Sequence, residues 1–329
     1  MSSNAGRDAS SVEARVFQPD RLSIGLVLPL LGKGEIVADF AQQLALAAQA
    51  DALGFRALWV RDVPLNSDQY PDPVGHLDPW VLLGALAART QRIALVSGAV
   101  VLTLRHPLHI AKGAISVSSL SGGRFILGLG SGDRPPEYAA FGQDTDARRD
   151  LFRSHWETVA AALGHPSRVI PDSRPDKVYD DDQPEFHLLP RLAGPLPMLA
   201  VGSGGQSVDW IARNAVGWMT YHRDPDAQRD RYRMWRNATE RVADGRFRAF
   251  GVATRLELCD RRDEPPVPMA LGYRTGARAL VDLLEAMRAA GTHHVAFNLT
   301  DSPRPPHEVM EELARDVLPL VHGPLVHGS

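Results

Sequence analysis

Leu120-Ser121-Gly122-Gly123-Arg124-Phe125-Ile126-Leu127-Gly128-Leu129-Gly130-Ser131-Gly132-Asp133-Arg134-Pro135-Pro136 is the stretch on which the fold turns. Ser121-Gly122-Gly123 stops the helical pattern that runs from Pro107 to Leu120, because glycine takes the left-handed conformations a helix end needs. Arg124–Leu129 follows as a short apolar run of strand length. Its glycines invite a dinucleotide-binding reading. That reading fails on context: Gly128-x-Gly130-x-Gly132 has Asp133 where the third glycine belongs, and two prolines follow where the helix should begin. What remains is a strand ending in small residues, where something flat can approach the backbone, with Arg134 near an anion.

The same strand-then-helix rhythm extends in both directions. Strands are predicted at Leu22–Leu28, Ala57–Asp62, Ile93–Leu102, Arg124–Leu129, Pro197–Val201, Gly217–Tyr221, Phe247–Leu258 and His294–Asn298. Helical patterns separate them, beginning with Glu35–Leu53, where Ile36, Val37, Phe40, Leu44, Ala47 and Ala48 recur at helical spacing before Gly54. Asp78-Pro79 opens the second in the cap-then-proline manner. About eight such units predict an α/β fold, a single (β/α)₈ TIM barrel over residues 21–329. Two connections are too long for turns: Gly164–Leu196 after the fourth helix, with Asp180-Asp181-Asp182, and Cys259–Tyr273 after the seventh strand. Residues 1–20, rich in Ser, Arg and Asp, read as a flexible N-terminal arm.

Composition narrows the function classes. The 329 residues are 44% hydrophobic and 23% charged with a formal net charge of −3, so there is no basic footprint for nucleic acid. No apolar run reaches the roughly 18 residues a membrane helix needs, and the N-terminus lacks a signal-peptide core. The one cysteine, Cys259, cannot form an internal disulfide or a multi-thiolate metal site. The expectation is a cytoplasmic protein without nucleic-acid or membrane partners.

In barrels the active site forms at the C-terminal ends of the strands. Those ends carry Arg61-Asp62, Gly98-Ala99, Arg105-His106, Gly130-Ser131-Gly132-Asp133-Arg134, Gly202-Ser203-Gly204-Gly205-Gln206-Ser207, Tyr221-His222 and Asn298. The fifth-strand loop is the most telling. Glycines between strand and helix turn backbone N–H groups toward a ligand, the helix start favours negative charge, and Ser203 and Ser207 add hydroxyls. This suits a phosphate, although a tight turn with a serine cap has the same composition. A rival is Gly272-Tyr273-Arg274-Thr275-Gly276 after the seventh strand. No metal site is expected, since His106 and His109 stand alone and adjacent His293 and His294 would point to opposite faces. There is also no Gly-x-Ser-x-Gly nucleophile elbow.

Ala57-Leu58-Trp59-Val60-Arg61-Asp62, Leu104-Arg105-His106-Pro107 with Ala111-Lys112, Leu120-Ser121-Gly122-Gly123-Arg124, Gly128-Leu129-Gly130-Ser131-Gly132, Phe141-Gly142 and the Gly202–Ser207 loop together resemble the bacterial luciferase-like monooxygenases. The resemblance implies an enzyme with FMN in its reduced form, or the deazaflavin coenzyme F-420, across the barrel mouth. Gly98-Ala99 would form a non-proline cis peptide against the ring, so a β-branched residue at Gly98 should project at the ring face. The phosphate would lie among Ser131, Arg134 and the backbone of Gly204, Gly205, Gln206 and Ser207, with Gly130 and Ser203 also at the cofactor. Arg61, Asp62 and His106 would stand near the reacting edge, and Tyr221, Arg274 and Asn298 near a small organic substrate. A separate flavin reductase and a homodimer are implied by the same analogy.

Two departures count against bioluminescence. Val63-Pro64 follows Asp62 where the luciferase pattern has its catalytic histidine, and Gly130 stands where light-emitting members have a reactive cysteine. The reading is therefore a monooxygenase using reduced FMN and dioxygen. The alternatives are a reductase or dehydrogenase using the deazaflavin, with Arg134, Arg174 and Lys177 as a basic track, and a non-catalytic flavin-binding protein.

Overall fold

A computed structural model describes residues 11–322 apart from 33, 71, 73, 165–187 and 301. The first long connection, with Arg174, Lys177 and the acidic run, therefore lies mostly outside the described residues, as do residues 1–10.

Strands β1 (Ser23–Leu28), β2 (Ala57–Val60), β3 (Ala94–Ser97), β4 (Val100–Val101), β5 (Phe125–Gly130), β6 (Met198–Val201), β7 (Gly217–Tyr221), β8 (Ala249–Leu258), β9 (Val267–Met269), β10 (Gly272–Thr275) and β11 (His294–Asn298) make one sheet. Parallel pairing runs β1–β2–β3–β5–β6–β7–β8–β11 and returns from β11 to β1, closing an eight-stranded barrel, with β4 continuing the third strand beside β5. Strand residues alternate between two cores. Val27, Trp59, Val96, Ile126, Leu199, Met219 and Ala296 fill the barrel, while Leu26, Leu58, Leu95, Leu127, Ala200, Phe250 and Val295 pack under the surrounding helices.

The helices are α1 (Val12–Val16), α2 (Phe40–Leu53), α3 (Pro79–Arg89), α4 (Pro107–Leu120), α5 (Pro135–Ala140), α6 (Arg148–Gly164), α7 (Val208–Asn214), α8 (Pro225–Val242), α9 (Ala277–Ala289), α10 (Pro306–Asp316) and α11 (Leu318–Val321). Local chemistry sets their ends. Asp78 caps α3 ahead of Pro79, Asp224 caps α8 ahead of Pro225, and Gly54 ends α2 at φ 91°. Buried Arg124, in the Ser-Gly-Gly-Arg stretch, donates to the carbonyls of Ala87, Thr90, Ile93 and Ser121, satisfying orphaned groups at the ends of α3 and α4. Buried Asp51 accepts N–H groups of Gln91, Arg92 and Ile93, fixing the entry to β3.

Three expectations are corrected. Residues 11–20 are not an arm: Ser11 caps α1, and Val12, Val16 and Phe17 are buried in the barrel core, closing its N-terminal floor. Their short apolar pattern was hidden by polar neighbours. The helix expected from Glu35, α2, starts at Phe40, because Asp39 caps it there, leaving Ile36 and Val37 60% and 80% exposed. The connection after β8 is no plain loop: β10 pairs parallel with Arg255–Leu258 and antiparallel with β9, whose Pro268 is tolerated on an edge strand. No helix among the described residues is long and apolar enough to cross a membrane.

Candidate active site

Carrying each strand's alternation to its C-terminal end places Arg61, Gly98, Gly130, Tyr221, Arg255 and Asn298 on the inward register of the mouth. All but Arg255 were expected there. Arg255 was missed because the long seventh strand was read as one block, although its alternation with Ala253 carries the signal. The Gly98–Ala99 peptide is cis, as the resemblance implies. A Cβ on Gly98 would stand 2.6 Å from Cε3 of Trp59 inside the barrel, so a side chain there meets the core and not a ring at the mouth. A Cβ on Gly130 would come within 3.0 Å of Ala99 Cβ, so these small residues permit close strand approach.

Arg61 and Asp62 do not pair with each other. Asp62 is buried, accepts from Nε and a terminal N–H of Arg105 at 2.9 Å each, and takes the Val101 N–H at 3.0 Å. Its oxygens are engaged in holding the strand-three crossover, which moves it from the reacting edge to a structural role. Burial opposes the charge on Arg105, but hydrogen bonding and charge from Asp62, with Asp78, raise its pKa overall. Arg61 instead reaches Asp72 at 2.7 Å and His76 Nε2 at 3.2 Å. Arg134, expected beside a phosphate, also donates to Asp72, at 3.1 Å. Burial would raise Asp72, but the His76 hydrogen bond and the Arg61 charge hold its carboxyl well below the usual range. Asp72 and His76 lie in an irregular, proline-rich segment whose periodicity announces nothing, so the sequence did not expose this cluster.

His106 is exposed and caps α4, its Nδ1 accepting from Leu108 N at 3.3 Å. Its structural role here is that of a cap. Asn298 accepts from the N–H and hydroxyl of Thr300, and Arg274 sits exposed on β10, outside the ring of eight strands. Tyr221 is 57% exposed at the mouth. Glu137 was also missed. It is buried at the start of α5, with Oε1 lacking a protein partner, and burial first of all lifts its pKa against the opposing charge of Arg134.

The loop after β6 has the strongest fit to a phosphate. Gly202, Gly204 and Gly205 all have positive φ, and Gln206 N bonds Ser203 O at 2.9 Å across a tight turn. Ser207 caps α7, accepting from Trp210 N at 3.2 Å. Gly204 packs on Phe152 and Gly205 lies against Arg149, so α6 lays Arg149 and Arg153 beside the loop, Arg153 donating to buried Gln206. Exposed backbone at Gly202 and Gly205, the hydroxyls of Ser203 and Ser207, and a guanidinium beside them are a donor set suited to phosphate. Gln206 points inward to Arg149 O and Gly204 O and serves the turn itself. Ser131 donates only to Gly132 O, at 3.3 Å, while its carbonyl takes the hydroxyls of Thr103 and Tyr138.

The family model described as luciferase-like monooxygenase matches residues 20–264. The chain belongs to that family. It is an enzyme, an oxidoreductase on a luciferase-like barrel, which sets aside the non-catalytic alternative. It is 32% identical over 192 residues to a 4-hydroxyprotoasukamycin monooxygenase of Streptomyces nodosus subsp. asukaensis, covering 56% of this chain and 48% of that one. It is 30% identical over 188 residues to an F420-dependent hydroxymycolic acid dehydrogenase of Mycobacterium tuberculosis, covering 55% and 49%. The alignments thus span about half of each relative. The oxygenating constituent of 3,6-diketocamphane monooxygenase from Pseudomonas putida, solved with FMN, shares the fold at TM-score 0.70 and 17% identity, over 92% of this chain and 100% of that one.

Proposed function

We propose that this luciferase-like enzyme is a monooxygenase that uses reduced FMN and dioxygen on a small organic substrate. The observation that carries the reading is the Gly202–Ser207 turn, open to solvent at the barrel mouth with Arg149 against it. A phosphate cradle without the Gly-x-Gly-x-x-Gly dinucleotide fingerprint suits a mononucleotide. When bound, FMN supplies the electrons and activates the oxygen. The chain's own residues then bind and orient. Ser203, Ser207 and Arg149 hold the phosphate end, and Tyr221, Arg255 and Asn298 face the substrate from the far side of the mouth. Asp72 holds Arg61 in position at the rim. Reduced FMN would come from a separate reductase, and the enzyme would work as a homodimer.

The deazaflavin reading draws on the same turn and on the three arginines Arg148, Arg149 and Arg153 along α6, which suit a more anionic tail. Fluorescence titration separates the two. FMN is expected to bind with riboflavin at least tenfold weaker, and reduced FMN to support oxygen uptake that substrate accelerates. Saturable binding of F-420 with none of FMN would overturn the proposal.

A further inference from the structure

The opposite end of the barrel carries a second cationic feature. On the floor, Arg15 from α1, Arg21 ahead of β1, Arg56 ahead of β2 and His322 after α11 surround a shallow recess open to solvent, also lined by Gln18 and Ser23. Among the described residues, no carboxylate lines it. Several exposed arginines elsewhere take acidic neighbours, as in Arg229–Asp226, Arg233–Asp230 and Arg288–Glu285. Arg15, Arg21 and Arg56 make no ion pair with another described residue. Arg15 reaches only the Arg92 carbonyl, at 3.4 Å, and its Nε is buried without a hydrogen-bond partner. Asp20, next to Arg21 in sequence, acts on Arg288 and His293 instead.

Ile24 N donates to His322 Nε2 at 2.9 Å, so the neutral ring carries its proton on Nδ1 and remains a donor. The recess thus offers donors and positive charge with no described acid to neutralise them. Burial lowers the pKa of Arg56, and Arg15 and Arg21 lower it further by repulsion. Guanidinium groups converging in this way match the oxygens of a tetrahedral anion, which they bind in forked pairs.

We propose that this recess binds an oxyanion of the phosphate type, inorganic phosphate or the phosphate end of a small monoester, at a site separate from the barrel mouth. The anion would bridge α1 to the starts of β1 and β2 and so lock the helix that closes the floor.

The test is thermal unfolding of the full chain in sodium phosphate, in phenyl phosphate and in sodium chloride at matched ionic strength, for the wild type, Arg21→Gln and Arg21→Gln/Arg56→Gln. At ten times the dissociation constant, either phosphate should raise the wild-type Tm by about 2 °C over chloride. The larger shift names the preferred source. Both variants should lose the increment, and exposed Arg21→Gln should hold or raise Tm in chloride by relieving repulsion. Three results would overturn the site: no increment over chloride, an increment kept in the double variant, which puts the anion elsewhere, or a fall in the chloride Tm of Arg21→Gln, which means an acid of the chain already fills the recess.

Discussion

Trp59 donates its indole N–H to Nε2 of His294 at 2.9 Å across the inside of the barrel. That bond fixes the tautomer. Nδ1 must carry the proton and donate to Ser23 Oγ at 2.6 Å, and the Ser23 hydroxyl donates in turn to the Val16 carbonyl of α1. A buried relay thus ties the centre of the barrel to the helix that closes its floor.

The first prediction concerns acid. Burial drives His294 and His322 down to about 3 and His293 to about 4, so all three are neutral when folded and titrate near 6.5 when unfolded. Depressed histidine pKa values mean that the unfolded chain binds more protons. Their contribution is complete above about pH 6.5 and is lost progressively as pH falls toward 4. Urea midpoints across this range should drop steeply, and His294→Asn should flatten the slope. A pH-independent midpoint would contradict the neutral assignment.

Removing one member of the buried Asp62–Arg105 pair should be severe. Asp62→Asn leaves a half-buried guanidinium short of its partner and is expected to lower stability by about 3 kcal/mol by denaturant titration. Arg105→Lys should do nearly as much, because a lysine cannot donate the two parallel bonds. Activity per folded molecule should change less than stability. A fully stable, inactive Asp62→Asn would return the residue to the chemistry.

The phosphate loop can be tested against its rival. Arg149→Gln should reduce the preference for FMN over riboflavin by about tenfold, the value of one charged hydrogen bond. Gly205→Val should do so more strongly, since φ 73° strains a β-branched residue. Arg274→Ala should leave the preference unchanged. The reverse pattern would place the phosphate after β8.

Glu137 carries the fourth prediction. Its folded pKa lies above the ordinary carboxylate value because of burial, so ionising it opposes folding once the pH exceeds the unfolded value. Glu137→Gln should therefore stabilise the protein more at pH 8 than at pH 4 in paired urea titrations. It should also remove any limb of the activity profile that Glu137 sets. Equal effects at both pH values would show that the carboxyl is not perturbed.

The sequence alone determined the repeating strand–helix order, most strand positions and the family, because those signals are local: apolar periodicity, proline after a capping aspartate, and glycine at a turn. It also located the glycine turn after β6. Tertiary structure decided the partners. Asp62 selects Arg105, 43 positions away, over neighbouring Arg61, because successive strand residues face opposite sides of the barrel wall. Asp72 gathers Arg61 and Arg134, and α6 brings Arg149 to Gly205, through packing between segments distant in the chain. The charge cluster on the floor arises in the same way: Arg15, Arg21, Arg56 and His322 are scattered in sequence and meet only when the barrel closes β11 against β1.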